Sequence, residues 1–264
     1  MFEWTTFGFD RVADRFAAFE PRTLTRGLDT EALATLREAV LAPLDLAPVV
    51  PAAKEGEDVV VLIHGFLASA GVFRPMRARL EAAGVHVASF THPPGFGVRR
   101  IARQLSSLMH RLHPGARVHL VGHSLGGVVA RWYVQEECTA AGEPRPTKAH
   151  PGVRAPRVLQ TISLGSPFGG VRVAERLPLF VGAELHGESK VLARVRAGAR
   201  SKACEVPHTS LIAGDDRLVF PAANARLPRG EAVVLPGLGH NMLLFDQDVF
   251  DLIVQCLRSR RAAA

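Results

Sequence analysis

Lysine is scarce in this chain: Lys54, Lys148, Lys190 and Lys202 are all it has. The formal net charge of +7 is therefore carried almost entirely by arginine. Those arginines are scattered, with no dense basic run interleaved with aromatics, so no nucleic-acid partner is expected. Cysteine is scarce as well. Cys138, Cys204 and Cys256 are odd in number and irregularly spaced, which offers neither a disulfide framework nor a zinc pattern. Long apolar runs are missing too. Residues 59–63 (VVVLI) are bounded by Asp58 and His64, and no run approaches the length of a membrane span. The stretch MFEWTTFGFDRVADRF lacks the basic segment followed by an apolar one that marks a secretory signal, which predicts a cytoplasmic protein.

What the chain does have is core-forming material. With 47% hydrophobic and 22% charged residues over 264 positions, it has enough apolar side chains for a sizeable core, and global disorder is excluded. Residues 1–57 read as an N-terminal helical extension. Phe9, Val12, Phe16 and Phe19 fall on one helical face, and Leu33, Leu36, Val40 and Leu41 on another. Pro43, Pro48 and Pro51 then stop any helix, and residues 54–58 (KEGED) read as a surface turn.

From residue 58 to 264 the texture is that of one α/β domain. Strand-like runs at 59–63, 85–90, 118–121, 158–163, 209–213 and 232–235 alternate with helical stretches at 75–83, 98–112, 125–137 and 246–257. That alternation predicts a mostly parallel central sheet with helices on both faces. Residues 170–207 break the pattern. They contain apolar Leu177, Leu179, Phe180 and Val181 and a helix at 189–195, and a segment of this size can form a lid over a pocket.

The sharpest signal is HLVGHSLGGVVARWYV at 119–134. An apolar strand runs into a helix through Gly122-His123-Ser124-Leu125-Gly126, the G-x-S-x-G pattern. Glycine at minus two and plus two removes side chains that would clash in so tight a turn, and the turn projects Ser124 Oγ beyond the sheet edge. The plainer alternative is an ordinary serine N-cap. A serine hydroxyl attacks at neutral pH only with a base, and the base needs an orienting acid. In this architecture the acid and then the histidine follow the serine along the chain. Of the later histidines, His150 lies in a Pro/Gly-rich excursion, His186 in the lid segment, and His208 at the start of a strand. His240 follows the last strand through Pro236-Gly237-Leu238-Gly239 and is the base by elimination and position. The acid should end the preceding strand, where Asp215 and Asp216 both stand. Asp216 is preferred, because an apolar pair follows it and can anchor its loop. His123 adjoins the serine and should point away from it. His110 and His113 have helical spacing but no third ligand for a metal. An oxyanion needs fixed donors. The N–H of Leu125 and that of Phe66, in the His64-Gly65-Phe66 turn after the first strong strand, are the candidates.

These stretches, with ISLGSPFGG, ESKVLARV, SLIAGDDRLVFPAAN and LPGLGHNMLL, resemble the α/β-hydrolase superfamily, specifically bacterial triacylglycerol lipases and esterases. The resemblance covers most of residues 58–257. It implies hydrolysis of an apolar acyl ester, small-molecule or lipid, through an acyl-enzyme, with no cofactor. Phe168 departs from it, standing where related segments often carry histidine. Some secreted relatives bind a structural calcium, whose ligands cannot be placed in this sequence. A thioesterase or lipid-conjugate deacylase would use the same triad, and a silent scaffold used only for binding is the alternative of another class. Phe2, Trp4, Phe7, Phe9, Phe16 and Phe19 near arginines suggest peripheral membrane contact as one role for the N-terminal segment; packing onto the main domain is the other.

Overall fold

The computed structural model describes residues 28–146, 152–171, 179–201 and 204–263. The Phe9–Phe19 helical pattern, the aromatic cluster of the first twenty residues, His150 and Leu177 lie outside the described residues. The elements in chain order are α1 (Leu28–Leu41), β1 (Asp58–Ile63), α2 (Arg74–Ala82), β2 (His86–Phe90), α3 (Val98–Met109), β3 (Arg117–His123), α4 (Leu125–Glu136), β4 (Val158–Leu164), α5 (Leu179–Leu185), α6 (Lys190–Arg200), β5 (His208–Ala213), β6 (Glu231–Leu235) and α7 (Gln247–Ala263). The six strands form one parallel sheet in the order β2-β1-β3-β4-β5-β6.

The alternation of side chains along β1 builds two cores. Val59, Val61 and Ile63 face one layer with Ile101, Leu105 and Val128 of α3 and α4, while Val60 and Leu62 face the other with Met76, Leu80 and Ile253 of α2 and α7. Every residue of β1 is buried, which is why its sequence reads as an unbroken apolar run. Burying each such Val, Leu or Ile contributes about 1.5–3 kcal/mol. The helix after β1 leaves to one face and the helix after β3 to the other. Because β1 and β3 are neighbours, a crevice opens beyond their carboxyl ends, the place where ligands bind in open parallel sheets.

Two expectations need correction. Asp58 is not part of a surface turn but the first residue of β1. Its buried carboxylate accepts hydrogen bonds from Arg117 at 2.8 and 3.1 Å, pairs with His119 at 3.2 Å, and meets Arg261 of α7. Burial pushes this carboxyl up, but the bonds from His119, Arg117 and Arg261 together outweigh it and hold the group well below its ordinary range. The second concerns α1. Leu33, Leu36 and Val40 do not face the core; they are 61%, 61% and 64% exposed. The inward side of α1 carries Glu31, Ala34 and Glu38, and of the expected stripe only Leu41 packs on the core.

In the 170–207 segment, α6 is capped by Ser189, whose Oγ accepts the Leu192 N–H at 3.1 Å. Val191, Leu192 and Val195 bury against the core, and Arg194 bonds Glu136 of α4 at 2.8 Å. Glu184 of α5 accepts the Val98 N–H that opens α3 at 2.6 Å. All three cysteines are free and buried. Among the described residues, no helix is long and apolar enough to cross a membrane.

Candidate active site

Four strand ends supply the site. Ser124 joins β3 to α4 with φ 52° and ψ −121°, a strained geometry for a residue with a side chain. The flanking glycines explain how the turn closes. A Cβ on Gly126 would sit 2.0 Å from the Ile63 carbonyl oxygen, and one on Gly122 would sit 2.3 Å from the Gly126–Gly127 peptide. Neither backbone can retreat, because each belongs to a buried strand or helix start. The turn is held to the next strand by the Ser124 N–H, which donates to the Leu164 carbonyl at 2.9 Å.

Beyond β5, Asp216 is buried while Asp215 is exposed. Asp216 Oδ1 accepts the N–H groups of Leu218 and Val219, both at 2.8 Å. Oδ2 accepts Nδ1–H of His240 at 2.7 Å. The carboxylate is thus fixed from behind before it meets the imidazole, and the preference for Asp216 over Asp215 has a physical ground: only Asp216 is turned inward. With its Nδ1 proton engaged, His240 presents Nε2 as the free base nitrogen.

His240 is in turn placed against the serine strand. The His123 ring lies 4.8 Å from the His240 ring, and its Nε2–H donates to the His240 carbonyl at 3.2 Å. Burial, and after it the charge of His240, holds His123 well below its ordinary pKa, so it acts as a neutral strut. The ring is thus packed and hydrogen-bonded, as expected of a histidine beside the nucleophile candidate. The glycine of the LGSP segment completes the packing. Gly165 has φ +58°, and a Cβ there would lie 3.2 Å from His240 Nδ1 and 3.4 Å from Asp216 Oδ2. A side chain there would crowd the acid–base pair and Leu243, whose Cδ1 would lie at 3.1 Å.

The HGF turn lies on the other side of Ser124. A Cβ on Gly65 would stand 3.1 Å from Ser124 Cβ, so this turn and the start of α4 border the same space. Phe66 and Leu125, whose N–H groups are the oxyanion candidates, flank that approach. His64 braces the turn. Its Nε2 accepts the His92 N–H at 3.0 Å, which leaves the proton on Nδ1 to donate to the Gly65 carbonyl at 2.8 Å. The two rings stack at 3.8 Å. Burial, then the charge of His92, lowers His64 to about 3, so the brace stays neutral.

The remaining histidines are elsewhere. His208 is buried at the amino end of β5, bonded to Thr161 at 2.8 Å and to Ser163 and Ser210. Phe168 is fully buried and packs edge-on against it at 5.3 Å, so the departure at this position fills core space. His186 is exposed, and His110 bonds the Ser106 carbonyl at 2.7 Å. Among the described residues no group of three or more His, Cys, Asp or Glu side chains is arranged to hold a metal ion.

A family model described as the alpha/beta hydrolase family matches residues 60–252. The chain belongs to the alpha/beta hydrolase family. The fold of this α/β-hydrolase is similar to that of several solved structures. The mature form of the Bacillus licheniformis lipase BlEst2 matches with a TM-score of 0.60 and 15% identity, covering 79% of this chain and 95% of that one. A monoacylglycerol lipase from Paleococcus ferrophilus matches with a TM-score of 0.56 and 14% identity over 84% of this chain and 100% of the other. A structure from a study of carboxylesterases of Nitrososphaera gargenis matches at 0.55 and 17% identity, covering 83% and 95%. No curated protein sequence matches the chain significantly.

Sequence reasoning missed three contributors. The stacked His64–His92 pair left only the weak signal of a histidine after each of two neighbouring strands. The reason for Gly165 lies in contacts 51 and 75 positions away, at Asp216 and His240. Glu31, which reaches the His240 loop across 210 positions, left no signal at all.

Proposed function

We propose that this α/β-hydrolase is a serine-dependent carboxylic ester hydrolase of lipase or esterase type, acting through an acyl-enzyme. The observation that carries the reading is the buried Asp216–His240 bond of 2.7 Å, set beside the strand end that bears Ser124. An aspartate wedged between two backbone donors and an imidazole has the geometry of an orienting acid, and a buried histidine so oriented has an obvious use next to a strained serine.

In the reaction, His240 Nε2 takes the Ser124 Oγ proton as Oγ forms a bond to the ester carbonyl carbon. The carbonyl electrons move onto oxygen, which the N–H groups of Leu125 and Phe66 receive. The C–O bond to the alcohol then breaks, and His240 returns its proton to the leaving oxygen. Water repeats the sequence on the acyl-enzyme and releases the acid. Asp216 stays ionised and holds the imidazolium.

An apolar acyl group suits the rim. Leu67 follows the HGF turn, and Leu218 and Phe220 follow Asp216; all three expose large apolar side chains at 66%, 39% and 49%. In this reading the described part of the 170–207 lid segment is anchored through α6 and caps α3 through Glu184.

The test is turnover of p-nitrophenyl esters from acetate to palmitate by wild type and Ser124→Ala, with fluorophosphonate labelling. Serine-dependent hydrolysis supports the reading, and a maximum at long chains assigns it to lipases rather than short-chain esterases. Absence of both serine-dependent turnover and labelling overturns it in favour of a binding scaffold.

A further inference from the structure

The loop bearing His240 is held from outside the residues matched to the family. Helix α1 precedes that match, yet its inward face lies on the short 3₁₀ turn Asn241–Leu244 that begins at His240. Glu31 Oε1 accepts the N–H of Asn241 at 2.9 Å, and Oε2 accepts the N–H of Met242 at 3.1 Å. Thr35 bonds the Asn241 side chain at 3.0 Å one turn further on, and Arg37 lies over the Phe245 ring at 5.0 Å. Gly239 is shaped to admit this carboxylate: a Cβ there would stand 2.4 Å from Glu31 Oε2. Glu38 continues the same face. Burial pushes its carboxyl up, and the charge of His240 works against that shift.

Resting on the ester-hydrolase reading, we propose that Glu31 is a positioning residue for His240. A single carboxylate clamping two consecutive N–H groups fixes the peptide plane that follows His240, and with it the direction of the Cα–Cβ bond that carries the imidazole. Charge-assisted bonds to backbone are among the stronger hydrogen bonds. They act here on the two peptide N–H groups that follow His240, whereas Asp216 acts on its ring. The carboxylate of Asp216 sets the rotation of the ring; Glu31 sets the backbone from which the ring hangs. Both oxygens of Glu31 are taken up by backbone N–H groups.

The experiment compares full-length wild type, Glu31→Ala, His240→Ala and the double variant on a p-nitrophenyl ester and in fluorophosphonate labelling, with thermal unfolding of each. Glu31→Ala is expected to lower kcat and the labelling rate by about 10–100-fold while KM changes by less than about threefold. It should add no further loss in the His240→Ala background, because both act through one side chain. Leu33→Ser, on the exposed face of α1, is the control and keeps wild-type kcat. Should Glu31→Ala not fold, Glu31→Gln retains an acceptor for one of the two N–H groups and is expected to show a partial kcat loss with the same non-additivity. A folded Glu31 variant with wild-type kcat, or one whose loss persists undiminished on His240→Ala, overturns the inference. Full activity in His240→Ala overturns the underlying assignment of the base instead.

Discussion

Asp216 Oδ2 lies 2.7 Å from His240 Nδ1, while Oδ1 of the same carboxylate is held by the N–H groups of Leu218 and Val219. The acid is therefore immobilised on one oxygen so that the other can define the tautomer of the imidazole. Asp215, one residue away, is exposed, and its backbone N–H donates to the Leu238 carbonyl at 2.9 Å.

Replacing Asp216 by asparagine should keep the fold but lose the correct tautomer. A kcat loss on the order of 10³–10⁴-fold is expected. Asp215→Asn, a surface change, should stay within about twofold. Steady-state kinetics of the two variants on one ester separates the neighbours; equal losses would sink the assignment.

The two glycines beside the site should fail differently. Gly126→Ala places a methyl 2.0 Å from the Ile63 carbonyl oxygen, inside a backbone that cannot yield, and should leave little folded protein. Gly165→Ala meets His240 Nδ1 at 3.2 Å and adopts a positive φ, which costs about 1–2 kcal/mol. It should fold with a lowered Tm and lose at least about tenfold in kcat, because the imidazole must shift. Circular dichroism beside activity distinguishes the two outcomes.

Stability should fall in two stages as the solution is acidified. His64 and His123 are buried and neutral, with pKa values lowered from 6.5. The unfolded chain binds protons at these positions first, so their contribution is intact above about pH 6.5 and is lost as pH falls toward the folded values. Asp58 has a folded pKa depressed from 3.8, so its contribution is present above that value and is lost as pH falls further. Urea unfolding as a function of pH should show both declines. Asp58→Asn should cost about 1–3 kcal/mol at pH 7, limited by the water that Arg117 and Arg261 retain, and nothing extra in strong acid. A gap from wild type that survives at the lowest pH would contradict this role.

The cysteines should be inert in the native protein. Burial raises the Cys256 thiol to about 12 and the Cys138 thiol further. Native protein should release almost no thionitrobenzoate within minutes in a disulfide-exchange titration, and unfolded protein should release three equivalents, one for each free cysteine.

Much of this architecture was legible in one dimension, for a local reason. A strand buried on both faces must be apolar throughout, as at Val59–Ile63, and a helix after a tight turn must begin with small residues, as at Gly126 and Gly127. That Ser124, Asp216 and His240 lie at one edge follows from the parallel sheet, whose carboxyl strand ends share that edge; the order serine, acid, histidine came from the resemblance.

The chain itself determined which residues form strands, where each strand ends, and hence which side chains could meet; these depend on hydrophobic period and turn chemistry within a few residues. Only the folded molecule decided that Asp216 rather than Asp215 turns inward, that Asp58 is a buried hub, that α1 presents Glu31 rather than Leu33 and Leu36 to the domain, and that Gly165 lies against Leu243 and the acid–base pair. Each of these depends on contacts between positions tens to hundreds of residues apart. Periodicity within one helix distinguishes two faces, but what lies opposite decides which of them is buried.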